Sequence, residues 1–184
     1  DQYGLVLENG QLIVRYANGG FTVHYYEHAY PLAPKSHVQV LGPVLENWRA
    51  VAADADLWMI ELESIITQLG HLPPRTEKDP ARVRERRREQ QVARRRLARL
   101  YRKSDAFRAA LENYLVCLNG VPGDPRSFDA LDALLSDQAY RLSYWRVAAD
   151  EINYRRFFDI NELAAIRVEE PAVFATVHDL VFRY

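Results

Sequence analysis

The sequence of 184 residues predicts a mainly α-helical fold of the α+β class, with a small antiparallel β-meander at its N-terminus. Two patterns carry this prediction. Strand-like runs separated by Asn-Gly turns occupy the first 30 residues, and from Ser36 onward apolar residues recur at the three- and four-residue steps of helices. At 48% hydrophobic residues, a chain of this size can remove roughly 70% of its unfolded surface from water and build a core.

The meander is predicted over residues 1–34. Its expected strands are Tyr3–Leu7, Gln11–Tyr16 and Phe21–Tyr26. The first turn contains Asn9-Gly10, a pair that supplies the positive φ angles of a tight hairpin. The second turn spans residues 17–20, and Pro31 ends the β region. So short a sheet needs a partner to cover its apolar face.

Residues 35–138 are predicted to form a helical subdomain. Ser36 is placed to cap its first helix, and Gly42-Pro43 predicts a kink or a break within that helix. The second helix carries an apolar stripe from Leu57 to Leu69. Gly70 follows where a left-handed C-cap belongs.

A basic helix is predicted over residues 80–103, with Asp79 as its N-cap and Pro80 at its first position. Arg82 to Lys103 contains eleven basic and two acidic residues, a local charge of +9 against −10 for the rest. The arginines surround most of the helix, which favours a solvated helix that projects from the body and is bridged to the acidic remainder. Docking to an acidic partner is the alternative. We expect no nucleic-acid partner, because the charges are not gathered on one face beside stacking residues.

Further helices and loops follow the basic helix. Ser104 is placed to cap a helix with an apolar face from Phe107 to Leu118, residues 119–125 are a loop, and Ser127 is placed to cap a short helix. Residues 139–184 are predicted as a separate return segment that is extended over 140–145, ambiguous over 147–154 and helical from Pro171.

Several functional classes are excluded or disfavoured. A single cysteine, Cys117, rules out an intrachain disulfide and a thiolate zinc cluster, and we expect it to be buried. His24 and His28 do not share a helical face, so no metal site is expected. No apolar run has the roughly 18–20 residues of a membrane span, and no signal-peptide pattern is present. We therefore expect a cytoplasmic protein without a membrane partner.

The densest chemistry lies between Asp150 and Leu163, which mixes carboxylates, paired arginines, paired phenylalanines, a tyrosine and two asparagines. These residues follow neither a strand nor a helix period, which is typical of a site. Aromatic faces with polar tips suit a sugar cleft, and paired carboxylates suit glycoside chemistry. An ion-paired turn without a functional role explains the same residues equally well.

The stretch Tyr144–Glu169, with Asp150-Glu151-Ile152-Asn153-Tyr154-Arg155-Arg156-Phe157-Phe158-Asp159 at its centre, closely resembles the maltooligosyl trehalose synthases. These enzymes belong to the α-amylase superfamily, glycoside hydrolase family 13. Shorter segments resemble the same family: Tyr3–Glu8, His28–Pro34, Asn119-Gly120, Gly123-Asp124-Pro125 and Ser127–Leu131.

The resemblance implies an isomerase that converts the reducing-end α-1,4 linkage of a maltooligosaccharide into an α,α-1,1 linkage. The implied mechanism is intramolecular transglycosylation through a covalent glycosyl–carboxylate intermediate, with no metal and no organic cofactor. In the family, the matching segment is a helical insertion in a (β/α)8 barrel, and the catalytic carboxylates lie in later motifs. None of those motifs occurs here, so we expect a fragment without catalytic residues whose partner is the rest of its own barrel.

The resemblance also implies which residues approach the glucan. The expected substrate-binding residues are Asn153, Tyr154, Arg155, Arg156, Phe157 and Phe158. The phenylalanines would stack on sugar or exclude water, and the arginines would bind hydroxyls or hold carboxylates. The alternative function is an autonomous protein-interaction module that docks an acidic partner through the Arg-rich helix.

Overall fold

The computed structural model describes residues 2–52, 57–142 and 164–183. It is mainly helical with a small antiparallel sheet near the N-terminus, as the sequence predicts. The elements in chain order are α1 (Gln2–Glu8), β1 (Leu12–Ala17), β2 (Gly20–Tyr25), β3 (His28–Pro31), α2 (His37–Val51), α3 (Leu57–Gly70), α4 (Pro80–Lys103), α5 (Asp105–Leu118), α6 (Asp129–Ser136), β4 (Tyr140–Leu142), β5 (Ala164–Ile166) and α7 (Pro171–Phe182). Short 3-10 turns precede α2 and α6.

The meander is built from β1, β2 and β3 in sequence order, each antiparallel to its neighbour. Leu12 pairs with Tyr25 and Val14 with Val23 across β1 and β2. Leu12, Val14, Phe21 and Val23 alternate onto one face and are buried, because successive strand residues point to opposite sides. That face lies against α4 and α5, which are the partner that so short a sheet needs.

The predicted first strand is wrong, since residues 2–8 form helix α1. Gly10 has φ +66°, its N–H donates to Leu7 O, and the Gln11 N–H donates to Val6 O. These two hydrogen bonds are the Schellman motif that ends helices at a left-handed glycine. Asn-Gly therefore closes a helix here rather than a hairpin, and the meander begins one strand later than predicted.

Helices α2 to α5 enclose the core: α2 contacts α3 and α5, and α4 contacts the same two helices. The predicted break in α2 does not occur, because the helix continues through Pro43. Gly42 lacks the Cβ that would clash with a following proline ring, and residues on both sides of the pair, such as Leu41 and Val44, are buried. Burial of these side chains offsets the hydrogen bond that proline removes.

The two ends of α4 are as predicted. The Asp79 carboxylate accepts hydrogen bonds from Ala81 N at 3.2 Å and Arg82 N at 3.3 Å, and Ser104 Oγ caps α5 by accepting from Phe107 N at 3.1 Å. At three other helix ends the predicted capping interaction is absent, although α2 begins directly after Ser36 as predicted. Gly70 does not have a positive φ, and the hydroxyls of Ser36 and Ser127 bond within their own turns instead of capping helices.

Cys117 is exposed, contrary to prediction, because Phe107, Leu111 and Leu118 form the inner face of α5 and Cys117 lies beside that face. Within the described residues, no helix combines the length and apolar character needed to cross a membrane.

Candidate functional site

A two-stranded ribbon holds the ends of the segment that carries the predicted glucan contacts. Strands β4 and β5 are antiparallel, with Tyr140 opposite Ile166 and Leu142 opposite Ala164. Residues 143–163 join them, so Asn153, Tyr154, Arg155, Arg156, Phe157 and Phe158 all lie outside the described residues. What the structure shows is where that segment leaves the fold and where it returns.

The ribbon is fixed to the helical body through Gln138, which is fully buried. Its Oε1 accepts the Ala33 N–H at 2.8 Å, and its Nε2 donates to Ser36 Oγ at 3.1 Å and to Leu134 O at 2.6 Å. One amide thereby joins the end of the meander, the start of α2 and the end of α6. No sequence pattern marks Gln138, because two of its three partners are about 100 residues away.

Two arginines secure the chain that follows β5. Arg167 donates to Ser136 O, and its own backbone N–H donates to Ala139 O at 3.2 Å. Arg75 forms an ion pair with Glu170 and also donates to Asp137 O at 3.4 Å. The Arg75 guanidinium holds the pKa of the Glu170 carboxyl below its usual range. The position of the ribbon thus depends on contacts from three separate parts of the chain.

An aromatic pair lies at the base of the ribbon. The rings of Tyr30, on β3, and Tyr140, on β4, have centroids 6.0 Å apart, and burial raises the pKa of the Tyr140 phenol. His28 stacks near Tyr30 with centroids 6.4 Å apart. The family-like segment His28–Pro34 and the start of the predicted site segment therefore meet in space, although they are far apart in sequence.

Helix α7 presents an apolar face to solvent. Phe174, Val177 and Val181 follow one another at three- and four-residue steps, and Phe174 and Phe182 keep 42% and 70% of their surface exposed. No residue of α7 is buried against the described part of the chain. The rings of Phe174 and His178 stack on each other with centroids 4.2 Å apart. Such a face is typical of a helix that packs against another surface.

Two arginines of α4, Arg94 and Arg96, hold this helix on its neighbours. Arg96 donates through Nε and Nη2 to both carboxylate oxygens of Glu61 at 2.9 Å, and through Nη1 to Gln68 at 2.9 Å. The hydrogen bonds from Arg96 lower the pKa of Glu61. Arg94 Nε donates to Asn18 O at 2.9 Å and holds the β1–β2 turn on the helix. The Arg96–Glu61 pair is a bridge to an acidic group, as predicted, whereas Arg94 bonds to a backbone carbonyl. Contrary to prediction, α4 does not project from the body, because Ala93, Leu97 and Leu100 are buried against it.

A shallow cavity of about 360 Å³ opens between α3 and α4. It is lined by Leu57, Trp58, Glu61 and Arg99. Trp58 and Glu61 both lie within the apolar stripe that the sequence predicts from Leu57 to Leu69. An acidic residue within such a stripe is a signal of a polar contact at that position. Because Arg96 donates to both Glu61 oxygens and lowers the pKa of this carboxyl, Glu61 is a weak base.

No group of three or more histidine, cysteine or acidic side chains in the described ranges could hold a metal ion. His24 contacts Thr22 on its own strand at 2.9 Å. No protein-family model, curated protein or solved structure matches this chain.

Proposed function

We propose that this chain is part of a cytoplasmic enzyme that converts the reducing-end α-1,4 linkage of maltooligosaccharides into an α,α-1,1 linkage, and that it supplies one wall of the glucan cleft. The proposal starts from the resemblance over Tyr144–Glu169. The observation that carries it is the apolar face of α7, a short distance after the ribbon that frames the predicted site.

The exposed apolar side chains of α7 support the proposal, because covering them with another surface would stabilise the protein. Covering one large apolar side chain stabilises a protein by about 1.5–3 kcal/mol. Phe174, Val177 and Val181 lie on one face of α7 and are all exposed, so leaving that face uncovered is unfavourable unless another surface packs on it. In a (β/α)8 barrel each outer helix packs one face on the strands. We assign α7 this place, with the barrel as its partner.

The proposed chemistry leaves this chain a positioning role. A carboxylate of the barrel attacks the anomeric carbon of the penultimate glucose unit, the bond to O4 of the terminal glucose breaks, and an acid group protonates that oxygen. The freed glucose then attacks through its own anomeric hydroxyl, loses its proton to the same group, and displaces the carboxylate. Water must not compete, so Phe157 and Phe158 would seal the cleft while Arg155 and Arg156 hold hydroxyls or carboxylates.

The test uses the full-length enzyme with maltohexaose. We expect reducing ends to disappear without a matching release of glucose, and an α,α-1,1 anomeric signal to grow in the NMR spectrum. Reducing ends that persist, or glucose released in step with turnover, would contradict the proposal. The isolated 184-residue chain should be inactive.

Two variants test the site residues. Phe157→Ala should raise the fraction of turnovers that end in hydrolysis, and Arg156→Ala should lower kcat/KM. Arg126→Ala, an exposed arginine on the loop before α6, is the matched control and should change neither. An Arg156→Ala enzyme with unchanged kcat/KM and hydrolysis fraction would remove Arg156 from the site.

A further inference from the structure

We propose that the outer face of α4 is a docking surface for an acidic α-helix of a partner protein. This surface, the arginine ridge, consists of Arg84, Arg88, Gln91, Arg95, Ala98 and Arg102. The inference is independent of the proposed glucan chemistry, because it uses none of the residues assigned to the cleft.

The ridge is a straight line along the helix. Its residues follow one another at alternating steps of four and three, which keeps them on one face of an α-helix over about 27 Å. The opposite face carries Ala93, Leu97 and Leu100, which are buried against the rest of the fold. The ridge therefore points away from the body, and its four arginines are exposed.

Three of the four ridge arginines form no ion pair with the described part of the chain, and the fourth, Arg88, pairs with a neighbour in sequence. Arg84 and Arg95 have neither a hydrogen bond nor an ion pair there. Arg88 pairs only with Glu89, through a side chain that is 72% exposed, and Arg102 donates to Ala98 O of its own helix at 3.3 Å. The contrast with Arg96, which forms a bidentate pair with Glu61, shows that α4 separates structural arginines from available ones.

The spacing of the ridge arginines favours a helical partner. Steps of four, seven and seven residues separate them by about 6, 10.5 and 10.5 Å along the axis. A second helix with carboxylates at the same steps matches this pattern in the way that charged residues pair along coiled coils. Guanidinium groups also bind carboxylates in a planar, two-bonded geometry. The shorter, uncharged Gln91 and Ala98 leave room for the partner backbone to approach between the charged positions.

A nucleic acid fits the ridge less well. The ridge carries no aromatic side chain on which a base could stack. Nucleic-acid binding is therefore the competing outcome of the test.

The experiment compares two helical peptides of identical composition. One carries glutamates at steps of four, seven and seven, and the other carries the same glutamates distributed around the helix. Fluorescence anisotropy with the 184-residue chain should show at least about fivefold tighter binding of the matched peptide at low salt. This preference should vanish near 1 M salt, where screening reaches about 3 Å.

Variants assign the preference to the ridge. The triple variant R84Q/R88Q/R95Q should lose it, whereas R15Q/R49Q/R126Q, which removes three exposed arginines elsewhere, should keep it. The charge-reversed variant R84E/R95E should instead prefer a peptide with lysines at the matched steps, which a merely unfolded variant would not do. Equal affinity for the two acidic peptides would overturn the proposal. So would a 20-base-pair DNA duplex that binds more tightly than the matched peptide through the same arginines.

Discussion

Lowering the pH from 7 to 5 should remove about 2 kcal/mol of stability through one side chain, His37. This histidine opens α2, is 7% exposed, and packs edge-on against Phe21 with ring centroids 5.0 Å apart. Burial lowers the pKa of His37 from 6.5 to about 4, and the nearby Arg94 acts in the same direction. A hydrogen bond with the Leu32 backbone opposes both effects but does not cancel them.

The sign and the size of this change in stability follow from proton binding to His37 in the folded and unfolded states. In the unfolded chain His37 takes up a proton as the pH falls through about 6.5, whereas in the folded chain it does so only near 4. Between these values the unfolded state binds more protons, so stability decreases as the pH falls. The full difference in pKa corresponds to about 3.4 kcal/mol, of which about 2 kcal/mol is lost between pH 7 and pH 5.

The assay is urea unfolding of the chain at several pH values, with the wild type compared with His37→Phe and His37→Gln. Both variants should show a pH dependence that is shallower by about 2 kcal/mol between pH 7 and pH 5. Using two variants guards against one that fails to fold. His71→Gln, at an exposed position, is the matched control and should follow the wild type. Parallel curves for the wild type and both His37 variants would refute the reasoning.

Three further predictions concern packing and hydrogen bonds. Gly19→Ala should destabilise the fold by about 2–3 kcal/mol, since φ is +78° and the new Cβ would lie 2.0 Å from a carbonyl oxygen of α4; Gly70→Ala, with open space around it at the end of α3, should instead stabilise by about 0.5–1 kcal/mol, and a similar loss in both would contradict the contact. Arg96→Ala should cost about 1–3 kcal/mol by leaving the half-buried Glu61 carboxylate without its bidentate partner, and a double-mutant cycle with Glu61→Gln should show coupling between the two. Gln138→Leu should cost about 2–3 kcal/mol by leaving buried hydrogen-bonding groups unpaired, and unchanged urea unfolding would count against this role.

The N-terminal error shows where local sequence signals are ambiguous. Asn9-Gly10 offers positive φ angles, which both a hairpin turn and a helix C-terminus use. Tyr3 donates a hydrogen bond to Asp132 at 2.8 Å, and Leu7 is buried, so residues far along the chain favour the helix. The first ten residues alone therefore do not indicate that a helix is favoured over a strand.

The sequence predicts a helix cap correctly where the capping side chain bonds to backbone groups next to it. It fails where other contacts determine how the helix ends. Asp79 and Ser104 bond backbone groups two or three residues on, and both were predicted. Gly70 was not a left-handed cap, because α-type hydrogen bonding continues to His71, whose N–H donates to Thr67 O at 3.1 Å, before Pro73 removes a donor.

The contacts that hold the ribbon of β4 and β5 on the helical body likewise could not be predicted from sequence patterns. Gln138 joins partners near residue 35, and Arg75 reaches Glu170 across 95 positions. Charge and hydropathy patterns describe neighbours along one element, so they carry no information on such pairings. The sequence shows that α4 is rich in arginine. Which of these arginines bond to other elements and which remain unpaired depends on how α3 packs against α4.

The pairing of β4 with β5 has a consequence for how this protein can change over time. With Leu142 opposite Ala164, the points where the chain leaves and rejoins the described fold are adjacent, and the entropy of closing a connection between two such points grows only logarithmically with its length. Insertions, deletions or exchange of the chain between these two points can therefore occur while the helical body keeps its register. The same arrangement makes residues 143–163 a natural cassette for library-based engineering.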